Sequence, residues 1–158
     1  TNRKMKNETS ILNELLATLE VAYSNAKGRH WMVYGTPFRS LHLLLDDTAA
    51  TLRKGADKMA ETIRVLDGIP LHTMTQFVDS SQIEEALTIP DALTIAREMR
   101  DDLNEIVAMT HGGVDAKVFD PTTENDVLNI TSEIRHWILF FDGIISNWTP
   151  AIPRIPEF

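Results

Sequence analysis

Between Pro37 and Asp67 the apolar residues Leu41, Leu44, Leu45, Leu52, Met59, Ile63 and Leu66 return at mostly helical spacing. Past Pro37 the run has no proline and one glycine, Gly55, so it predicts one long helix. Upstream, Ile11, Leu12, Leu15, Leu16, Leu19 and Ala22 mark an amphipathic helix. It should start near Thr9 or Ser10, either an acceptable N-cap, and reach roughly to Tyr34. Gly35-Thr36-Pro37 breaks the pattern, which gives a helical hairpin with His30 close to His42. Downstream, Leu93, Ile95, Ala96, Met99, Leu103, Ile106 and Val107 form a third stripe, opened near Pro90-Asp91 and closed by His111-Gly112-Gly113. His111 there reads as a last-turn cap favoured by the helix dipole. Asp120-Pro121 fits N-cap then N1 of a fourth helix, from about Thr122 to Trp148. Val127, Leu128, Ile130, Ile134, Trp137, Ile138, Phe141, Ile144 and Ile145 should lie inside. Residues 68–89 are long for a connection between packed helices, so a short helix is expected around Met74–Asp79. The expected fold is all-α: a four-helix bundle with a short extra helix between helices two and three, in a single domain over 1–158.

Composition narrows the function classes. The 158 residues are 43% hydrophobic and 24% charged, which suits a globular chain. No apolar run approaches a membrane span, and no cysteine allows a disulfide or a thiolate site. A cytoplasmic protein is expected, nucleoid-associated if it binds DNA. The net charge of −8 argues against a generic nucleic-acid surface and suits a container for cations.

The long second helix carries its metal-capable residues in pairs. His42 and Asp46 are four apart, as are Asp57 and Glu61, so each pair is stacked on one helix face. Asp57 lies 11 positions after Asp46, about three full turns, so the two pairs share that face. Along the axis they stand roughly 16 Å apart, whereas metal–ligand bonds are about 2 Å. One straight helix cannot close both pairs on one metal. Two copies packed antiparallel about a two-fold axis near residues 51–52 can: His42 and Asp46 of one chain then face the Asp57–Glu61 pair of the other. His30 adds a fifth candidate ligand. Two imidazoles and three carboxylates suit iron, zinc or manganese.

These residues carry a family resemblance. His30-Trp31, Gly35-x-x-Phe38-x-x-Leu41-His42, Asp46 and Asp57-x-x-Ala60-Glu61 resemble the signature of the Dps miniferritins, the iron-oxidising, DNA-protecting branch of the ferritin-like superfamily. The resemblance implies a ferroxidase centre of His30, His42, Asp46, Asp57 and Glu61 between two-fold-related subunits of a dodecameric shell. It implies oxidation of Fe²⁺, with peroxide preferred over O₂, and storage of ferric mineral. Zinc is a possible substitute at the site. The chain departs from the pattern at Met32, Thr62 and Asp67, where relatives often carry Asn, Arg and Gly; none of these removes a ligand.

Other candidates have a plain and a functional interpretation each. Trp31 is by default a core residue; the resemblance places it near the iron, able to intercept stray oxidising equivalents. Asp47 is a solvated acid or a nucleation point for mineral. Asp120, Glu124 and Asp126 are ordinary capping and dipole-compensating acids, or by resemblance the lining of three-fold pores that admit Fe²⁺. Residues 1–8 are a frayed terminus or a short basic arm whose Arg3, Lys4 and Lys6 touch DNA phosphates; any DNA binding should be weak. Glu133-x-x-His136 occurs once, so a second metal site inside the bundle is not expected. His72 and His136 read as surface histidines. The three prolines of residues 149–158 should carry the chain away from the bundle as a tail.

Overall fold

The computed structural model describes residues 2–146, with the side chains of 2–6 excepted. The Pro-rich tail at 149–158 and the side chains of Arg3, Lys4 and Lys6 therefore lie outside the described residues. Five helices follow in order: α1 (Asn2–Met32), α2 (Phe38–Val65), α3 (Met74–Ser80), α4 (Ala92–Asp115) and α5 (Pro121–Ile145). The fold is the expected four-helix bundle with a short additional helix in the long connection.

Side-chain contacts give the topology. Lys27 of α1 meets Asp46 of α2, and Arg53 of α2 lies over the Tyr23 ring of α1, so these helices run antiparallel. Thr51, Lys54 and Lys58 of α2 meet Trp137, Glu133 and Asp126 of α5 in descending order, again antiparallel. Arg29 and Asn25 of α1 meet Glu98 and Asp102 of α4. The helices thus circle the core as α1, α2, α5, α4. Leu12, Leu19, Leu45, Leu52, Met59, Ile95, Leu103, Ile134 and Phe141 fill it. At about 25 cal/mol per Å² of apolar surface removed from water, these side chains supply most of the driving force for folding.

Because α4 runs parallel to α2, the chain must return along the bundle between them. The strap of residues 81–90 makes that return and is tied down residue by residue. The Gln82 N–H donates to Thr18 Oγ1 at 3.0 Å. Asn25 is satisfied at both ends, giving from Nδ2 to the Glu84 carbonyl at 2.9 Å and accepting from the Ala86 N–H at 2.8 Å. Arg29, 5% exposed, donates to the Thr88 carbonyl and to the Glu98 carboxylate. Burying that guanidinium is tolerated because its donors are taken up. The short helix α3 opens with a reciprocal cap between Thr73 and Gln76.

Several expectations are corrected. First, α1 begins at Asn2, not near Thr9 or Ser10. The run from Asn2 to Glu8 has no helix breaker, and buried Glu8 anchors it by accepting the Asp120 N–H at 2.8 Å. Second, α4 continues to Asp115 through the glycines expected to end it, so His111 is an exposed residue just before the last turn rather than a last-turn cap. Gly113 is needed for packing: a Cβ there would stand 2.5 Å from the Phe119 ring. Third, Trp31 is 68% exposed and belongs to no core. It falls at the open end of α1, one residue before that helix ends at Met32 instead of Tyr34. Fourth, Leu93 and Leu128 lie at the edge of their stripes and remain about 40% and 39% exposed. Helix α5 ends at Ile145, short of Trp148.

Candidate metal centre

The α1–α2 hairpin brings His30 and His42 into contact. The turn between them depends on Gly35, whose φ of +92° is poorly accessible to other residues. The two imidazoles stack with centroids 3.8 Å apart and planes 18° from parallel. Each Nδ1 lies 2.7 Å from the backbone carbonyl of the other histidine. A carbonyl can only accept, so each Nδ1 carries the proton and donates. That assigns the tautomer and leaves both Nε2 lone pairs for a cation, the usual arrangement behind a metal-binding histidine. Phe38 stacks on the outer side of His42, with centroids 5.0 Å apart.

Asp46 follows His42 by one turn of α2. Its Oδ1 accepts a hydrogen bond from Lys27 Nζ at 2.6 Å. That bond, with the ammonium charge behind it, holds the Asp46 carboxyl below the usual carboxylate range. A solvent-open cleft of about 670 Å³ runs from here along α2, lined by Lys27, Asp46, Asp47, Arg53 and Asp57 among others. Asp57 and Glu61 lie further along α2, both exposed, and they line a second cleft of about 580 Å³ between α2 and α5. Lys54 and Lys58 cross that cleft to Glu133 at 2.9 Å and Asp126 at 3.1 Å.

The fold therefore joins His30 to His42, with Asp46 one turn away, and leaves Asp57 and Glu61 well apart on the same helix. Among the described residues, no three metal-capable side chains of one chain converge on a single point. Trp31 flanks the site through Lys27, whose Nζ is 6.0 Å from its ring centroid. Asp47 opens onto the first cleft.

The other acidic candidates separate. Asp120 caps α5, accepting from the Thr122 and Thr123 N–H groups at 2.8 and 3.2 Å. Its desolvation is outweighed by a bond from the Thr123 hydroxyl at 2.8 Å together with these backbone bonds, which keep its carboxyl below the usual range. Glu124 sits one turn on, half-buried, while Asp126 belongs to the α2–α5 cleft. His136 is exposed and packs edge-on against Trp137 and Phe140, and His72 is exposed with Nδ1 3.1 Å from the Pro70 carbonyl.

Lys27 is the site residue that the ligand pattern alone does not mark. The available signal was spacing: a lysine three residues before His30 lies on the same face of α1.

Comparisons with known proteins point one way. A sequence profile described as the Ferritin-like domain matches residues 9–149. An uncharacterized protein of Haemophilus influenzae is 32% identical over 111 residues, covering 66% of this chain and 69% of that protein. A DNA protection during starvation protein of Streptococcus suis is 27% identical over 139 residues, covering 82% of this chain and 79% of the relative. The X-ray structure of Dps from Thermosynechococcus elongatus superposes with a TM-score of 0.88 over 95% of this chain and 97% of that one; at 19% identity the likeness is one of fold.

Proposed function

Because this chain belongs to the ferritin-like family, in its Dps branch, we propose that it oxidises Fe²⁺ at a centre shared between two copies and stores the ferric product in a hollow homo-oligomer. The observation that carries this reading is the His30–His42 pair. Both Nε2 lone pairs are left open by reciprocal carbonyl bonds, at the head of a helix face that also bears Asp46, Asp57 and Glu61.

An antiparallel two-fold pairing of α2 about residues 51–52 supplies what one chain lacks. It sets the histidines and Asp46 of one copy against the partner's Asp57–Glu61 pair, twice per dimer. Iron enters here as substrate. Two Fe²⁺ give up one electron each to hydrogen peroxide: 2 Fe²⁺ + H₂O₂ + 2 H⁺ → 2 Fe³⁺ + 2 H₂O. Pairwise transfer avoids the one-electron reduction that releases hydroxyl radical, and protection of DNA follows as a consequence. Imidazole nitrogens suit Fe²⁺, and the three carboxylates stabilise the added charge of Fe³⁺. On this reading Asp47, which lines the first cleft, receives ferric ion, and Asp120 and Glu124 at the start of α5 guide Fe²⁺ inward. Zn²⁺ fits the same donor set without redox chemistry. A DNA-compacting role is the weaker reading, since a chain of net charge −8 repels phosphate.

The test is anaerobic loading with Fe²⁺ followed by H₂O₂, with ferric absorbance and a hydroxyl-radical spin trap read in parallel. Fast oxidation with little trapped radical is expected. His42→Ala and Asp57→Ala should each slow the initial rate at least about tenfold, with helical content retained. Rates equal to the parent would remove these residues from the centre.

A further inference from the structure

Among the described residues, Lys27 is the one lysine or arginine whose nitrogen bonds a proposed ligand. The neighbouring cations of α2 are engaged elsewhere: Arg53 lies over the Tyr23 ring, 5.2 Å from its centroid, and Lys54 and Lys58 pair with Glu133 and Asp126. Lys27 reaches across from α1 to Asp46 Oδ1 at 2.6 Å. Both groups are partly open to water, with side-chain exposures of 25% and 50%, so the pair can part without stranding a buried charge.

An ammonium at this distance takes one acceptor site of the Asp46 carboxylate and sets a positive charge beside the others. A divalent cation on the same carboxylate carries charge of the same sign, so the two oppose each other there. The displaced ammonium has somewhere to go. Trp31 lies four residues later on α1, one helical turn away, and its ring centroid is already 6.0 Å from Nζ. The face of an indole attracts a cation.

We propose that Lys27 is a positioning residue for cation binding: it holds Asp46 oriented while the centre is empty, opposes by its charge a divalent cation arriving at that carboxylate, and withdraws onto the face of Trp31 when one binds. The inference rests on Asp46 being a ligand, as argued under Proposed function. Lys27 then sets the affinity of the centre as a built-in competitor, and it couples cation arrival to the surroundings of one tryptophan.

The test is calorimetric titration of the assembled full chain with Zn²⁺ or Co²⁺, comparing the parent, Lys27→Met and Lys27→Arg. Lys27→Met should bind about two- to tenfold tighter, the range set by a partly exposed ion pair plus the removal of a like charge. Lys27→Arg, which keeps the competing charge, should stay near the parent. Tryptophan emission should change on cation addition in the parent. That change should be lost in Lys27→Met and in Trp31→Phe. Lys27→Gln serves as a second variant if the apolar side chain disturbs the fold. Superimposable isotherms for Lys27→Met and the parent would overturn the proposal while leaving the centre standing. Absence of binding in all variants would overturn both.

Discussion

His30 and His42 show how much chemistry two backbone carbonyls can fix. Neither ring is deeply buried, yet each is locked in one tautomer by the main chain of the other. The candidate ligands on α2 could be singled out because i, i+4 spacing puts side chains on one face. The reciprocal carbonyl bonds were not, because they depend on how α1 meets α2. Asp102 is a second case. It sits where α4 meets α1 beneath the strap, and burial pushes its carboxyl up to about 6, aided by Glu98 and Asp101 and opposed by Asn25 and Arg29. Between pH ~4 and ~6 an unfolded chain has released this proton while the folded chain keeps it, so stability falls as pH rises through that window. Asp102→Asn keeps a partner for Asn25 and removes the titration. Relative to the parent, its unfolding free energy should rise by on the order of 2 kcal/mol between pH 4 and pH 7, measured by urea unfolding of the same assembly. A difference that does not grow with pH would contradict this account.

At the scale of the element, helix interiors were readable and helix ends were not. The stripes of α1, α2, α4 and α5 emerged from periodicity alone, since each buries one face. The ends are set by tertiary contacts that no local rule contains. Glu8 extends α1 by bonding to a residue 112 positions away. Gly113 lies inside α4 because Phe119 folds back over it. The short helix was found because a long connection demanded one, and its reciprocal cap explains its start at Met74. The end of α2 carries its own cost. Asp67 and Gly68 close the helix with N–H bonds back to Arg64 and Ile63, which forces Asp67 to a φ of +57°. Glycine is the residue that adopts this conformation most easily. Asp67→Gly should therefore stabilise the protein by about 0.5–1 kcal/mol, read as a higher urea midpoint at unchanged slope. An unchanged or lower midpoint would mean that the Asp67 side chain compensates for its backbone.

At the scale of the molecule, the five candidate ligands resolve into two incomplete halves. Along α2, Asp46 and Asp57 are separated by about three turns, too far for one metal, and no single chain gathers three metal-capable groups among the described residues. The spacing of the pairs already implied this. What it could not convey was the counter-charge of Lys27 at the first half and the lysine-bridged cleft at the second. The proposed centre, completed only between copies, makes the proposed oxidation depend on association. The most direct test is complementation. One chain carries His42→Ala with Asp46→Ala, the other Asp57→Ala with Glu61→Ala; each assembled alone should be inactive. Unfolded together and refolded at equal amounts, they form mixed dimers in which one of the two shared sites is intact. About a quarter of the parental Fe²⁺ oxidation should return, the fraction expected for random two-fold pairing. A mixture as inactive as either variant would contradict a centre shared between chains.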